Sequence, residues 1–128
     1  MAGGSKELGE RIRQLREEKR KTDPKFTGRQ FSITLEISPT YLSKIETGDM
    51  PAGADLIIKI AKLLETNEDE LLALGKKVSP DLNKIIVEKP LEMASFLRTA
   101  SGMSKEKLDK LRGYMDALSE QDKDKEGK

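Results

Sequence analysis

Apolar residues recur along this chain at intervals of three and four, which is the period of a helix with one buried face. Over residues 6–20 the recurring positions are Leu8, Ile12 and Leu15. A second such helix, over residues 54–65, carries Leu56, Ile57, Ile60, Ala61 and Leu64. The pattern continues beyond residue 79 and predicts an all-α protein.

Residues 38–48 combine the signals of a short capped helix. Ser38 is a good N-cap residue, and Pro39 follows at the first helical position, where its missing N–H group costs nothing. Leu42 and Ile45 lie three residues apart on one buried face, and Gly48 supplies a left-handed residue that ends the helix. The other side chains are expected to project outward: Thr40, Tyr41, Ser43 and Lys44.

Another helix is predicted immediately upstream. Thr27 can cap it, and Phe31 and Leu35 fall four residues apart, at helical spacing. Only residues 36 and 37 separate Leu35 from the Ser38 cap. Two short helices joined by so tight a turn form a helix-turn-helix, in which the second helix, here residues 38–47, reads DNA.

These residues resemble a known family, the lambda repressor and Cro type (XRE family) of helix-turn-helix regulators. The similarity begins at Leu8-Gly-Glu-Arg-Ile-Arg-Gln-Leu-Arg and continues through Ile37-Ser-Pro-Thr-Tyr-Leu-Ser-Lys-Ile-Glu-Thr-Gly. Further on it includes Leu56-Ile-Ile-Lys-Ile-Ala-Lys-Leu-Leu and ends with a helix that Asn67 caps, Glu70 completing a capping box. It implies a five-helix DNA-binding domain over residues 6–75.

The resemblance implies which side chains meet DNA bases. In this family the first turn of the reading helix, and the residue one turn later, reach base edges. The matching positions are Pro39, Thr40, Ser43 and Lys44. Lys44 can donate to guanine O6 and N7, although a contact to phosphate is the alternative.

Contacts to the DNA backbone and one structural ion pair are implied in the same way. Hydroxyls and helix-start N–H groups suit phosphate, and relatives also carry a polar residue where this chain has Gly28. The candidate phosphate-binding residues are therefore Thr27, Arg29, Gln30, Ser38 and Tyr41. Arg16 and Glu46 match a partly buried ion pair that orients the reading helix.

The sequence departs from the family at three further places. The connection at residues 21–25 is about five residues longer than usual. It is basic, so it either contacts the DNA backbone or is a tolerated insertion, the latter being favoured. Glu36 stands where relatives usually have glycine in the turn, and a positive φ there would cost about 1 kcal/mol. Ser32 replaces the usual alanine between the two helices.

Residues 76–119 are predicted to form about three further helices. The last helix carries Leu108, Leu111, Met115 and Leu118 at spacings that make a short coiled-coil seam. This segment either packs back on residues 1–75, dimerises or docks another protein such as a toxin or anti-repressor, and dimerisation is favoured. Residues 1–5 are expected to be flexible, and the charged residues 120–128 are expected to be disordered.

Composition removes several competing functions. The 128 residues include no cysteine and no histidine, so the commonest nucleophile, general base and metal ligands are missing. We therefore expect no enzyme, no metal and no cofactor. The sequence also has no membrane-spanning run and no secretion signal, which favours a cytoplasmic protein.

Charge is unevenly distributed along the chain. The net charge is only +1, but residues 11–44 hold nine basic and four acidic groups. Such polarity suits a protein with one face turned to phosphates.

Together these features predict a sequence-specific transcriptional regulator that binds double-stranded DNA. The expected form is a homodimeric repressor that binds an inverted-repeat operator through residues 38–47. The alternative is an antitoxin or an adaptor whose C-terminal helices dock a partner protein.

Overall fold

The computed structural model describes residues 3–126, and within that range it contains helices and no strand. A short 3-10 turn, Pro24–Phe26, separates the first two helices. The α-helices are α1 Lys6–Arg20, α2 Gly28–Leu35, α3 Pro39–Thr47, α4 Ala54–Leu63, α5 Glu68–Leu74, α6 Pro80–Glu88, α7 Pro90–Ala100 and α8 Lys105–Glu126. The predicted all-α class, with five helices followed by three, is confirmed.

The helices start where capping chemistry places them. Thr27 and Ser38 accept hydrogen bonds at their side-chain oxygens from the backbone N–H groups of Gln30 and Tyr41, at 3.3 and 3.0 Å. Asn67 accepts in the same way from the N–H of Glu70, at 3.1 Å. Each bond satisfies a donor that the first helical turn leaves without a partner, so these caps fix where α2, α3 and α5 begin.

The core of the helix-turn-helix region is built from the predicted apolar stripes. Every one of the first five helices contributes at least two buried side chains, and Ala52 and Leu64 add two from outside the helices. The buried apolar residues are Leu8, Ile12, Phe31, Leu35, Leu42, Ile45, Ala52, Ile57, Ile60, Ala61, Leu64, Leu71 and Leu72. Two residues of the predicted stripes, Leu15 and Leu56, pack at the edge of this cluster and are only partly buried.

The chain divides into two compact units, the first ending at Asn83 and the second beginning at Lys84. The division falls inside α6, eight residues beyond the boundary predicted after Gly75. Ser79, at the start of α6, is buried, and the N–H of Lys77 donates to the carbonyl of Leu72 at 2.8 Å. The segment after Gly75 is thus tied to α5 before the second unit begins.

The second unit contains no buried residue among the side chains that the structure describes. Its large apolar side chains are exposed or half-buried, with Val87 and Leu91 at 75% and 81% exposure. Contiguous apolar surface of this kind is uncommon on free soluble domains.

The structure describes parts of both chain ends that were predicted to be flexible or disordered. The N–H of Gly4 donates to the carbonyl of Gly48 at 3.1 Å, and the Ser5 hydroxyl donates to the carbonyl of Leu74 at 2.8 Å. Residues 120–126 continue α8, and they contain neither glycine nor proline, which would stop a helix. Residues 1, 2, 127 and 128 of the predicted flexible ends lie outside the described residues.

No helix in the described part of the chain is long and apolar enough to cross a lipid bilayer.

Glu36 occupies the left-handed region that its position in the turn requires. Its φ and ψ are 61° and 37°, and its N–H donates to the carbonyl of Ile33 at 3.0 Å, closing the end of α2. Its side chain is exposed and lies 3.6 Å from Lys59, a geometry that stabilises little in solvent. The left-handed backbone at Glu36 therefore costs conformational free energy that glycine would not lose in the same conformation.

Replacement of Glu36 by glycine should stabilise the protein. We expect Glu36→Gly to raise the free energy of unfolding by about 0.5–1 kcal/mol, since the relief of strain exceeds the added freedom of the unfolded chain. The measurement is urea unfolding followed by circular dichroism. Glu36→Gln is the matched control, because it removes the charge and keeps the strained backbone. Equal stabilisation by both variants would contradict the argument from φ.

Candidate nucleic-acid interface

The candidate interface is centred on α3, which has one buried face and one exposed face. Leu42, Ile45 and Glu46 face the core and are buried, while Gly48 ends the helix with a φ of 84°. On the opposite side the four predicted base-contacting residues are all exposed: Pro39, Thr40, Ser43 and Lys44. Helical spacing places these four on adjacent turns of a single ridge.

Tyr41 differs from the prediction that it projects outward. Its ring packs against the core cluster and is half-buried, and its hydroxyl donates to the carbonyl of Pro51 at 2.9 Å. The phenolic proton is therefore already used within the protein. Sequence spacing placed Tyr41 beside Thr40 on the outer face, but its ring packs against the core and its hydroxyl bonds to the loop that follows α3.

The turn between α2 and α3 is held by main-chain hydrogen bonds. The N–H of Ile37 donates to the carbonyl of Ser32 at 3.0 Å, and Ser38 begins α3 one residue later. Ser32 itself is fully buried and donates its hydroxyl to the carbonyl of Arg29 at 2.7 Å. The hydroxyl that replaces the alanine of relatives is therefore accommodated by a local bond in α2.

The predicted phosphate-contacting residues flank the starts of both helices. Arg29 and Gln30 are exposed in the first turn of α2, and Ser38 is exposed at the start of α3. Thr27 is half-buried, and its side-chain oxygen serves as the cap acceptor, as that of Ser38 does. Both hydroxyls retain a proton to donate. A Cβ atom at Gly28 would meet nothing within 4 Å, so no neighbour requires glycine there.

Arg16 and Glu46 form a bidentate ion pair between α1 and α3. Arg16 Nε lies 2.7 Å from Glu46 Oε2, and Arg16 NH2 lies 2.9 Å from Glu46 Oε1. The two residues are only 6% and 8% exposed. The hydrogen bonds that Arg16 donates to Glu46 raise the pKa of Arg16 above its usual value, because they favour the charged guanidinium.

A third contact of Arg16 was not anticipated from the sequence. Arg16 NH1 donates to the carbonyl of Phe26 at 3.0 Å, which connects the 3-10 turn to the same guanidinium. Sequence spacing gives no signal for a bond between a side chain and a backbone carbonyl ten residues away.

Gly9 has a packing role that was also not predicted from the sequence. A Cβ atom at this position would overlap the carbonyl oxygens of Ile45 and Glu46. The backbone of α1 therefore passes directly against the C-terminal half of α3, at a separation that only glycine permits. This close approach and the ion pair act on the same turn of α3.

The described residues contain no group of three or more histidine, cysteine, aspartate or glutamate side chains that is arranged to hold a metal ion. The chemistry available on the α3 ridge is hydrogen bonding, apolar contact and one positive charge.

Comparison with known proteins gives one match. A family model described as a helix-turn-helix domain matches residues 7–74, which includes all of α2 and α3. No curated protein and no solved structure matches the chain.

The buried ion pair should be costly to break from one side. Glu46→Leu leaves the Arg16 guanidinium buried without its counter-charge, and we expect a loss of about 3 kcal/mol or more in the free energy of unfolding. The double variant Arg16→Leu/Glu46→Leu removes both charges and should be more stable than Glu46→Leu alone. Urea unfolding of both single variants and the double variant measures this coupling, and additive losses would contradict it.

Proposed function

The chain belongs to the helix-turn-helix domain family, which is found in XRE-type regulators, and on that premise we propose that it is a sequence-specific transcriptional repressor that binds DNA as a homodimer. The single observation that carries the proposal is the exposed ridge of α3, with its polar side chains outside and its apolar side chains in the core. A helix of this kind fits the major groove of B-DNA, which is about 12 Å wide.

Base recognition in this proposal falls to the four residues of the ridge. Lys44 donates to guanine O6 and N7, and Thr40 and Ser43 donate or accept hydrogen bonds at neighbouring base edges. Pro39 has no N–H group and offers only apolar contact, for instance to a thymine methyl group. The ion pair behind α3 supports this assignment because it limits the rotation of the ridge.

Phosphate contacts fix the register of such a helix on the duplex. The hydroxyls of Thr27 and Ser38 and the exposed side chains of Arg29 and Gln30 suit this role. The Tyr41 hydroxyl donates to the carbonyl of Pro51 and the Tyr41 N–H donates to the Ser38 cap, so neither donor of Tyr41 is free for a phosphate.

Dimerisation is assigned to the C-terminal helices. Leu108, Met115 and Leu118 of α8 are 40%, 45% and 44% exposed, and Leu111 is half-buried. A seam of this kind is stabilised when a second helix covers it. A two-fold dimer then presents two copies of α3 to half-sites about 34 Å apart, which implies an inverted-repeat operator. Repression follows if that operator overlaps a promoter and the dimer blocks polymerase.

A second function is favoured by the breadth of the exposed apolar surface. Val87 and Leu91 lie outside the α8 seam and are more exposed than any seam residue. An antitoxin or adaptor would use this surface to dock a different protein, such as a toxin or an anti-repressor. No catalytic activity is proposed, because the sequence has neither histidine nor cysteine.

The role of Lys44 is tested by binding to the promoter region of the protein's own gene. We expect Lys44→Ala to weaken binding to the operator by about 1–3 kcal/mol and to relax its sequence preference. Gel-shift titrations with operator and scrambled duplexes measure both effects. A loss that is equal on both duplexes would assign Lys44 to phosphate and not to a base.

The role of the α8 seam is tested by light scattering on the full-length protein. We expect Leu111→Glu to shift the molar mass from dimer to monomer, because a buried carboxylate in the seam is costly. Gly113→Glu is the matched control, since it adds the same charge where a side chain meets nothing within 4 Å. A wild-type monomer that changes mass only when a partner protein is added would favour the antitoxin or adaptor.

A further inference from the structure

The cations at the C-terminal end of α1 are already neutralised by the protein's own carboxylates. Arg16 pairs with Glu46, and Lys19 lies 3.6 Å from Glu65. Arg20 pairs with Glu17 at 3.0 Å and Lys21 pairs with Glu18 at 3.2 Å, each across one helical turn. The run at residues 16–21 therefore offers little net charge to a partner.

The three cations of residues 22–47 lack such compensation. Among the side chains that the structure describes, no carboxylate lies within 4.0 Å of Lys25, Arg29 or Lys44. All three are exposed, and they stand on three consecutive elements, the 3-10 turn, α2 and α3. Within residues 22–47, unpaired positive charge thus lies on both helices of the helix-turn-helix and on the inserted segment.

The inserted segment is an anchored turn and not a loose loop. Asp23 Oδ1 accepts from the N–H of Lys25 at 2.9 Å, and the N–H of Phe26 donates to the carbonyl of Asp23 at 3.2 Å. The carbonyl of Phe26 accepts from Arg16, and its ring lies 5.7 Å from that of Phe31. Lys25 therefore projects from a backbone that is bonded to α1 and packed on α2.

We propose that the inserted turn adds one backbone-phosphate contact to the DNA interface, made by the ammonium group of Lys25. The proposal rests on the proposed function, because the phosphate belongs to the duplex that α3 reads. Lys25 is two residues from Thr27, the cap of α2, so its contact is continuous with those assigned to Thr27 and Arg29. Because the main chain is already fixed, binding has to order only the lysine side chain.

A phosphate contact has a specific signature, since each neutralised phosphate releases counterions and steepens the dependence of affinity on salt. The probe is a fluorescein-labelled duplex of about 30 base pairs, bound by the full-length protein between about 50 and 200 mM salt. We expect Lys25→Gln to make the slope of log K against log salt shallower by about 0.9, and to weaken binding several-fold at the lower salt.

Lys21→Gln is the matched control, because Lys21 lies at the start of the same inserted segment but is paired with Glu18. Its slope should equal that of the wild type. A wild-type slope for Lys25→Gln would identify the turn as a tolerated insertion, and equal losses in both variants would indicate only a general charge effect. Either result overturns the proposal while leaving DNA binding intact. A wild-type protein that does not bind the duplex would instead reject the proposed function itself.

Thermal unfolding of the variants separates binding from folding. Lys25 is exposed and its backbone makes the structural bonds, so Lys25→Gln should unfold at the wild-type temperature. Retained stability with the shallower salt slope supports the phosphate contact, whereas a lowered unfolding temperature would assign Lys25 a structural role and overturn it.

Discussion

One buried ion pair determines where α3 lies. The Arg16 guanidinium binds both carboxylate oxygens of Glu46 and, with its remaining nitrogen, the carbonyl of Phe26. Its planar array of donors lets one side chain connect α1, the 3-10 turn and α3 at fixed angles. A buried pair of this kind adds less to stability than to orientation, because the cost of desolvating both charges offsets most of their attraction. Its use in this protein is to hold the outer ridge of α3 in one direction.

Close backbone packing makes that orientation possible. Gly9 lets α1 approach the carbonyl groups of α3, and the caps at Thr27 and Ser38 set the start of the two helices that meet in the turn. Glu36 accepts a strained conformation so that the chain can reverse between them. In the first unit, the contacts that fix α3 thus lie on its core-facing side, and its outer ridge remains exposed. The second unit is organised differently, since none of its described side chains is buried and its large apolar side chains are half-buried or exposed.

Much of this could be read from the sequence because it depends on local rules. The Ser38-Pro39 start of α3, the Gly48 stop and the stripe of Leu42 and Ile45 each follow from residues within one or two helical turns. Other features could not be read in this way. Three contacts join residues from different elements: the hydrogen bond from Tyr41 to Pro51, the close approach of α1 to α3 at Gly9, and the hydrogen bond from Arg16 to Phe26.

The distinction between local features and contacts between elements applies also to charge. The sequence by itself determined the helices, their caps, the buried and exposed faces of α3 and the excess of basic residues before and within the helix-turn-helix. Only the tertiary structure decided which of those charges remain available, because pairing depends on distance in space. The basic run at residues 16–21 is paired within α1 and to Glu46 and Glu65. In the described part of the chain no carboxylate pairs with Arg11, Arg13, Lys25, Arg29 or Lys44. Spacing along one helix can be counted from the sequence, but the separation of two elements is fixed only when the core has packed.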